Sequence, residues 1–225
     1  MLLSLLFIAH AGHHEGSQGH HAGHGDHATV THSFADAEKW SAVFDDPERD
    51  AWQKPAELVA ALQIQPGSVV ADIGAGTGYL NPHLSRAVGT EGKVLAIEVE
   101  QSLVDWMTER ATREGTDNVS CRLGQLDDPG LKPAEADLVL LVDTYHHIDG
   151  RVDYFRRLQE GVKPGGRLVI VDFKPGDIPV GPPPGHRIAE DQVVAELVEA
   201  GWVDAGRLEL LPYQFVRVMT RPGAP

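Results

Sequence analysis

Three glycines at alternate positions, Gly74, Gly76 and Gly78, follow an apolar β-branched run, Val69-Val70-Ala71-Asp72-Ile73, and lead into Tyr79. A strand that enters a glycine-rich turn ahead of a helix aims backbone N–H groups and the helix dipole at whatever lies beyond its carboxyl end. That chemistry suits an anionic or polar ligand. In a dinucleotide-binding turn the third glycine falls three residues after the second, but position 79 is Tyr, which argues against a nicotinamide cofactor. The bland reading is a tight strand-to-helix turn. Glu98 weakens it: about 20 residues beyond the loop, at the end of the next apolar run, a carboxylate can accept hydrogen bonds from both hydroxyls of a ribose. Alone, Glu98 could be an exposed strand end; with the loop it points to a nucleoside carrying a charged appendage.

The elements that must position these residues alternate regularly. Asp45-Asp46-Pro47-Glu48 and Pro55-Ala56-Glu57-Leu58 are helix starts, so 36–63 is predicted to be a helical lead-in. After the Pro66-Gly67 turn, strands are predicted at 68–73, 94–99, 119–123, 137–142 and 167–172, with helices at 79–88, 101–114 and 150–162 between them. Strands separated by helices of this length imply a parallel sheet covered on both faces, with right-handed crossovers. Helix 187–200 and a closing pair of strands near 203–210 and 213–220 complete a single doubly wound α/β domain. The expected divisions are a tail over 1–33, a helical cap over 34–66 and a core over 67–225.

Asp72-Ile73-Gly74-Ala75-Gly76-Thr77-Gly78, Gly92-Lys93-Val94-Leu95-Ala96-Ile97-Glu98 and Val162-Lys163-Pro164-Gly165-Gly166-Arg167-Leu168 resemble, in order, three signatures of the class I S-adenosylmethionine-dependent methyltransferases. The resemblance covers roughly residues 50–220, and Asp143-Thr144-Tyr145-His146-His147-Ile148 is similar to the fourth-strand segment of the branch that includes quinone-biosynthesis and other small-molecule methyltransferases. It implies a Rossmann-like, mostly parallel seven-stranded sheet. It also implies that Asp72, Gly74, Gly76 and Gly78 shape the loop around the methionine part of the cofactor, that Glu98 holds the ribose and that Val99 packs on the adenine. Where the family often has Gly-Asp-Ala, this chain has Gly124-Gln125-Leu126-Asp127, so the adenine amine falls to Gln125 or to Asp127. Asp143 would lie where sulfonium and acceptor meet, with Tyr145 and His146 on a loop facing the same crevice and His146 a candidate base. His147-Ile148 reads as packing under the next helix. Trp52 and Gln53, in the lead-in, would cover the crevice. His186 and Arg187, after a proline-rich loop, could bind an acidic group or simply open a helix.

Composition bounds the partners. A formal charge of −14 lacks the basic footprint of nucleic-acid binding. No apolar run reaches the roughly 18 residues that cross a bilayer, and the lone Cys121 excludes a disulfide framework or a cysteine zinc site. A small-molecule methyl acceptor fits better. Met1 to Ala9 is a short apolar run followed by a small-x-small pattern, but no Lys or Arg precedes Lys39, so export to the periplasm and residence in the cytoplasm both stay open. Eight of the twelve histidines fall between positions 10 and 32, and His13, His14, His20, His21, His24 and His27 are candidate ligands for a divalent transition metal. Without a fixed spacing, an incidental low-complexity linker is an equal reading. The expected function is methyl transfer from S-adenosylmethionine to a small acceptor. The alternative, from another class, is an exported metal-binding protein with a methyltransferase-like domain that does not turn over.

Overall fold

Val69, Val70 and Ala71 are apolar on successive positions and Ile73 follows after Asp72, so the strand that carries them must be covered on both faces. A computed structural model, which describes residues 36–223, shows how. Strand β1 (Val69–Ile73) turns Ala71 and Ile73 into a cluster with Phe155, Leu158, Val193, Leu197 and Trp202. It turns Val70 into a second cluster with Leu58, Leu62, Leu84 and Val88. Helices α3 (Pro55–Ala61) and α4 (Asn81–Val88) thus cover one face, and α6 (Arg151–Gly161) and α7 (Glu190–Glu199) the other. Helix α5 (Gln101–Glu114) packs on β2 (Lys93–Glu98) and β3 (Val119–Leu123) through Leu103, Val104 and Met107.

With β4 (Ala136–Val142), β5 (Val162–Phe173), β6 (Val203–Leu208) and β7 (Gln214–Thr220) the sheet has seven strands in the order β3-β2-β1-β4-β5-β7-β6. The first five are parallel, and β7 enters antiparallel between β5 and β6. The order reverses between β1 and β4, and in open α/β sheets that switch point opens a crevice beyond the strands' carboxyl ends. Five polar side chains reach this edge: Asp72, Glu98, Asp143 just past β4, Asp172 in β5, and Gln214. The last arrives there because β7 runs backwards and pairs Gln214 with Phe173.

The structure departs from the sequence expectations in detail. The lead-in is not continuous: α1 (Ala37–Phe44), a 3-10 turn over Pro47–Arg49, α2 (Asp50–Gln53) and α3 are separate pieces. Lys54, with φ 46, breaks the chain before Pro55, because a residue preceding proline is driven out of the right-handed helical region. Strand β5 starts at Val162, five residues early, and a register shift between Ala136 and Leu138 absorbs the extra residues. Helix α7 starts late, since Pro184–His186 first forms a 3-10 turn. None of the helices in the described residues is long and apolar enough to cross a membrane.

Candidate functional site

The glycine loop needs glycine for shape. Gly74, Gly76 and Gly78 have φ of 73, 58 and 79, and a Cβ on Gly74 would fall 2.3 Å from Thr144 Oγ1. Its amides do not meet the expectation of free donors aimed at a ligand. Gly74 and Ala75 donate to the Ile97 carbonyl at 2.9 and 3.1 Å, Gly76 to Glu98 Oε2 at 2.9 Å, and Gly78 to the Ala75 carbonyl at 2.9 Å. The loop therefore offers a narrow path for close approach. It is not a cradle for phosphate.

Two carboxylates flank it. Asp72 is 3% exposed, and its carboxylate accepts no hydrogen bond from any described residue. Burial, helped by nearby Glu98 and opposed by Arg49, pushes its pKa up to about 7. Glu98 is tied down instead: besides Gly76, it accepts from the Val99 and Glu100 amides at 2.7 and 3.3 Å. Burial raises its pKa and those three donors oppose the rise. Beside it, Leu123 at the end of β3, Val99 just past β2 and Leu126 in the loop after β3 leave large apolar side chains exposed. Gln125 and Asp127 are exposed on the same loop after β3, where Gly124 donates to the Glu98 carbonyl at 2.8 Å.

At the other end of the crevice stands Asp143, held at φ 56 with its amide bonded to the Val171 carbonyl at 2.9 Å. Its carboxylate accepts from Gln214 Nε2 and lies 3.4 Å from Arg49 Nη2. Burial pushes its pKa up to about 7, against the Arg49 charge and with help from Asp172. Gln53 and Gln214 are both fully buried and joined by a 2.8 Å bond from Gln53 Nε2 to Gln214 Oε1. Arg49 also donates to the Phe44 carbonyl at 2.9 Å and to Gln53 Oε1 at 3.2 Å, with its guanidinium carbon 4.3 Å from the centre of the Tyr79 ring. Trp52 is half-buried, 6.0 Å from Phe173 between ring centres.

His146 and Asp172 form a pair. Nδ1 of the imidazole lies 2.9 and 3.0 Å from the two Asp172 oxygens, and the His146 amide donates to Oδ2 at 3.3 Å. Burial disfavours charge on the ring, but Asp172, with Asp143 behind it, outweighs burial and raises its pKa. Nε2 has no hydrogen-bond partner among the described residues. Tyr145 does not face the crevice as expected. It is fully buried in the opposite layer, stacked on Phe155 at 5.0 Å, and its hydroxyl donates to Glu196 at 2.6 Å. The 3-10 turn over Tyr145–His147 sends neighbouring side chains to different faces. For the same reason His147 is exposed, its ring 4.1 Å from that of His146, and only Ile148 packs inward.

The lead-in is fastened over the loop. Asp45 accepts from Thr77 Oγ1 at 3.0 Å and from Arg110 Nη1 at 2.8 Å, Tyr79 donates to Asp50, and the Phe44 ring lies 3.4 Å from where a Gly76 Cβ would stand. Sequence reasoning missed Arg49, Asp172 and Gln214. The first two sit in segments that carried a signal, a charged turn beside Trp52 and a strand end, whereas nothing local marks Gln214. Among the described residues no three His, Cys, Asp or Glu side chains gather as metal ligands. The candidate ligands His13, His14, His20, His21, His24 and His27, and the export segment, lie outside the described residues.

Residues 70–166 match the family profile of a methyltransferase domain. A ubiquinone/menaquinone biosynthesis C-methyltransferase UbiE from Hydrogenovibrio crunogenus is 28% identical over 123 residues, 54% of this chain and 48% of that protein. Its counterpart from Ectopseudomonas mendocina is 28% identical over 116 residues, 51% of this chain and 45% of that protein. The chain thus spans about half the length of the curated relatives it matches. The crystal structure of a SAM dependent methyltransferase from Aquifex aeolicus superimposes with a TM-score of 0.78 at 28% identity, over 82% of this chain and 98% of that one.

Proposed function

We propose that this chain, which belongs to the class I S-adenosylmethionine-dependent methyltransferases, passes the cofactor's methyl group to a small-molecule acceptor that loses a proton in the process. The observation that carries the reading is the pair of carboxylates on either side of the glycine loop, one bonded and one not. Asp72, buried and without a donor among the described residues, is left for the cofactor's ammonium. Glu98 keeps lone pairs toward a ribose while its backbone bonds fix it, and exposed Val99, Leu123 and Leu126 supply apolar surface for a planar base. The residues present therefore fit the cofactor. Gln125 and Asp127 are both within the loop that would meet the adenine amine.

The bound cofactor supplies a methyl group already activated on a sulfonium, so transfer gains mainly from alignment and from exclusion of water. The fastened lead-in, with Trp52 and Gln53, serves that exclusion. Gln53 and Gln214 hold the Asp143 carboxylate in place, and Asp172 holds the His146 ring by Nδ1 so that Nε2 accepts the acceptor's proton. Because the relatives are C-methyltransferases of ubiquinone and menaquinone biosynthesis, intermediates of quinone biosynthesis are the first acceptors to try. The test is a calorimetric titration of S-adenosylhomocysteine into the full chain with a chelator present. One-to-one binding in the micromolar range, about −8 kcal/mol, is expected; no heat from a folded sample would remove the cofactor site and with it the reading.

A further inference from the structure

Arg49 is a cation seated imperfectly among acids. Its contact with Asp143, at 3.4 Å, is long for a charge-assisted hydrogen bond, and its Nε is buried with no hydrogen-bond partner among the described residues. It lies within electrostatic reach of Asp72 as well, so one guanidinium counters both the unbonded Asp72 and the Gln214-bonded Asp143. Its other bonds, to the Phe44 carbonyl and Gln53, tie it to the lead-in, and the lead-in to the site. A ligand with a positive sulfur, held between Asp72 and Asp143, brings a second cation into that space. Two like charges cannot share Asp143 in a half-dry crevice without one withdrawing.

We infer that Arg49 is a counter-charge which competes with the cofactor's sulfonium for Asp143, and so sets the crevice's preference between charged cofactor and neutral demethylated product. The inference rests on the cofactor reading above. Arrival of the sulfonium displaces Arg49 from Asp143 and loosens the segment 47–54 about Arg49 without lifting it, since Gln53 stays bonded to Gln214 and Trp52 stays against Phe173. Loss of the methyl group removes the positive charge from sulfur, and Arg49 returns to Asp143. The remaining fastenings, Asp45 to Thr77 and Arg110, stay in place throughout. Arg49 acts through Asp143 and is a specificity-determining residue.

The test compares S-adenosylmethionine with S-adenosylhomocysteine on the full chain at one salt concentration, with a chelator present, in the parent, Arg49→Gln and Arg49→Lys. The ratio of the two dissociation constants should shift about tenfold toward S-adenosylmethionine in Arg49→Gln and stay within about twofold of the parent in Arg49→Lys, a tenfold change being about 1.4 kcal/mol. A structural defect would weaken both ligands together and leave the ratio alone. An unchanged ratio in Arg49→Gln overturns the competition and assigns Arg49 to the ligand's carboxylate or to packing. Should Arg49→Gln not fold, hydrogen exchange in the parent decides: faster exchange over 47–54 with S-adenosylmethionine than with S-adenosylhomocysteine supports the inference, and equal exchange overturns it. If the parent binds neither ligand, the cofactor reading fails first and takes this one with it.

Discussion

At the scale of residues, the site is an arrangement of acids that differ in what they already hold. Asp172 is fully buried and bonded to His146 and to the Phe173 amide, whereas Asp72 is buried and bonded to nothing described. The first positions a side chain and the second waits for one. The His146 pKa is raised because Asp172 favours the imidazolium more than burial disfavours it. A base must be neutral to work, so activity should fall on the acid side at a pH above the ordinary histidine value of about 6.5. In Asp172→Asn the His146 pKa should drop, which nuclear magnetic resonance titration of the ring reads directly. The acid limb of the rate should move down with it, while affinity for S-adenosylhomocysteine changes less than about threefold. An unmoved titration would show that Asp172 does not govern the ring.

At the scale of elements, the sequence was legible wherever a local rule decides. The runs that became β1, β2 and β4 are near-continuous apolar stretches, and the change to helical periodicity marks the ends of β1 and β2. The early start of β5 was not legible, because Lys163-Pro164-Gly165-Gly166 reads as a turn and joins the strand only through a bulge against β4. Nor was the side on which Tyr145 falls, since a single 3-10 turn has no periodicity to read. The lead-in pieces are too short to be stable alone, and α1 has no buried residue, so contacts to the core must hold them. Asp45 makes two of these, to Thr77 and Arg110. Asp45→Ala should speed hydrogen exchange over 37–49 while leaving β1 and β4 protected, at a cost of about 1 kcal/mol. Equal loss of protection in the sheet would mean that lead-in and core unfold as one unit.

At the scale of the whole molecule, the topology does what no segment can announce. Gln214 becomes part of the site only because β7 is threaded backwards between β5 and β6, bringing its first residue to the edge where the parallel strands end. The same convergence crowds carboxylates at one edge of a chain whose formal charge is −14, and that has a thermodynamic signature. Asp72 and Asp143 titrate near 7 in the folded protein but at the ordinary aspartate value when unfolded, and Glu98 is raised as well. Between those values the folded state binds more protons than the unfolded one, so stability must fall as pH rises from about 4 toward 7. His146, also raised, contributes in the same direction; His83, lowered by burial, opposes it, and so do Glu135 and Glu196, held down by Arg122 and Arg151, though the two glutamates act only at the acid end of the range. The ligand-free protein should therefore melt about 5 °C higher at pH 5.5 than at pH 8. Asp72→Asn should flatten that slope, raising stability at pH 8 by about 1–2 kcal/mol while weakening cofactor binding about tenfold. A melting temperature that climbs from pH 5.5 to 8, or an Asp72→Asn variant less stable at pH 8 than the parent, would mean that Asp72 is not the unsatisfied charge described. The expected result is an edge that is destabilising when empty and anionic because the ligand it serves is a cation.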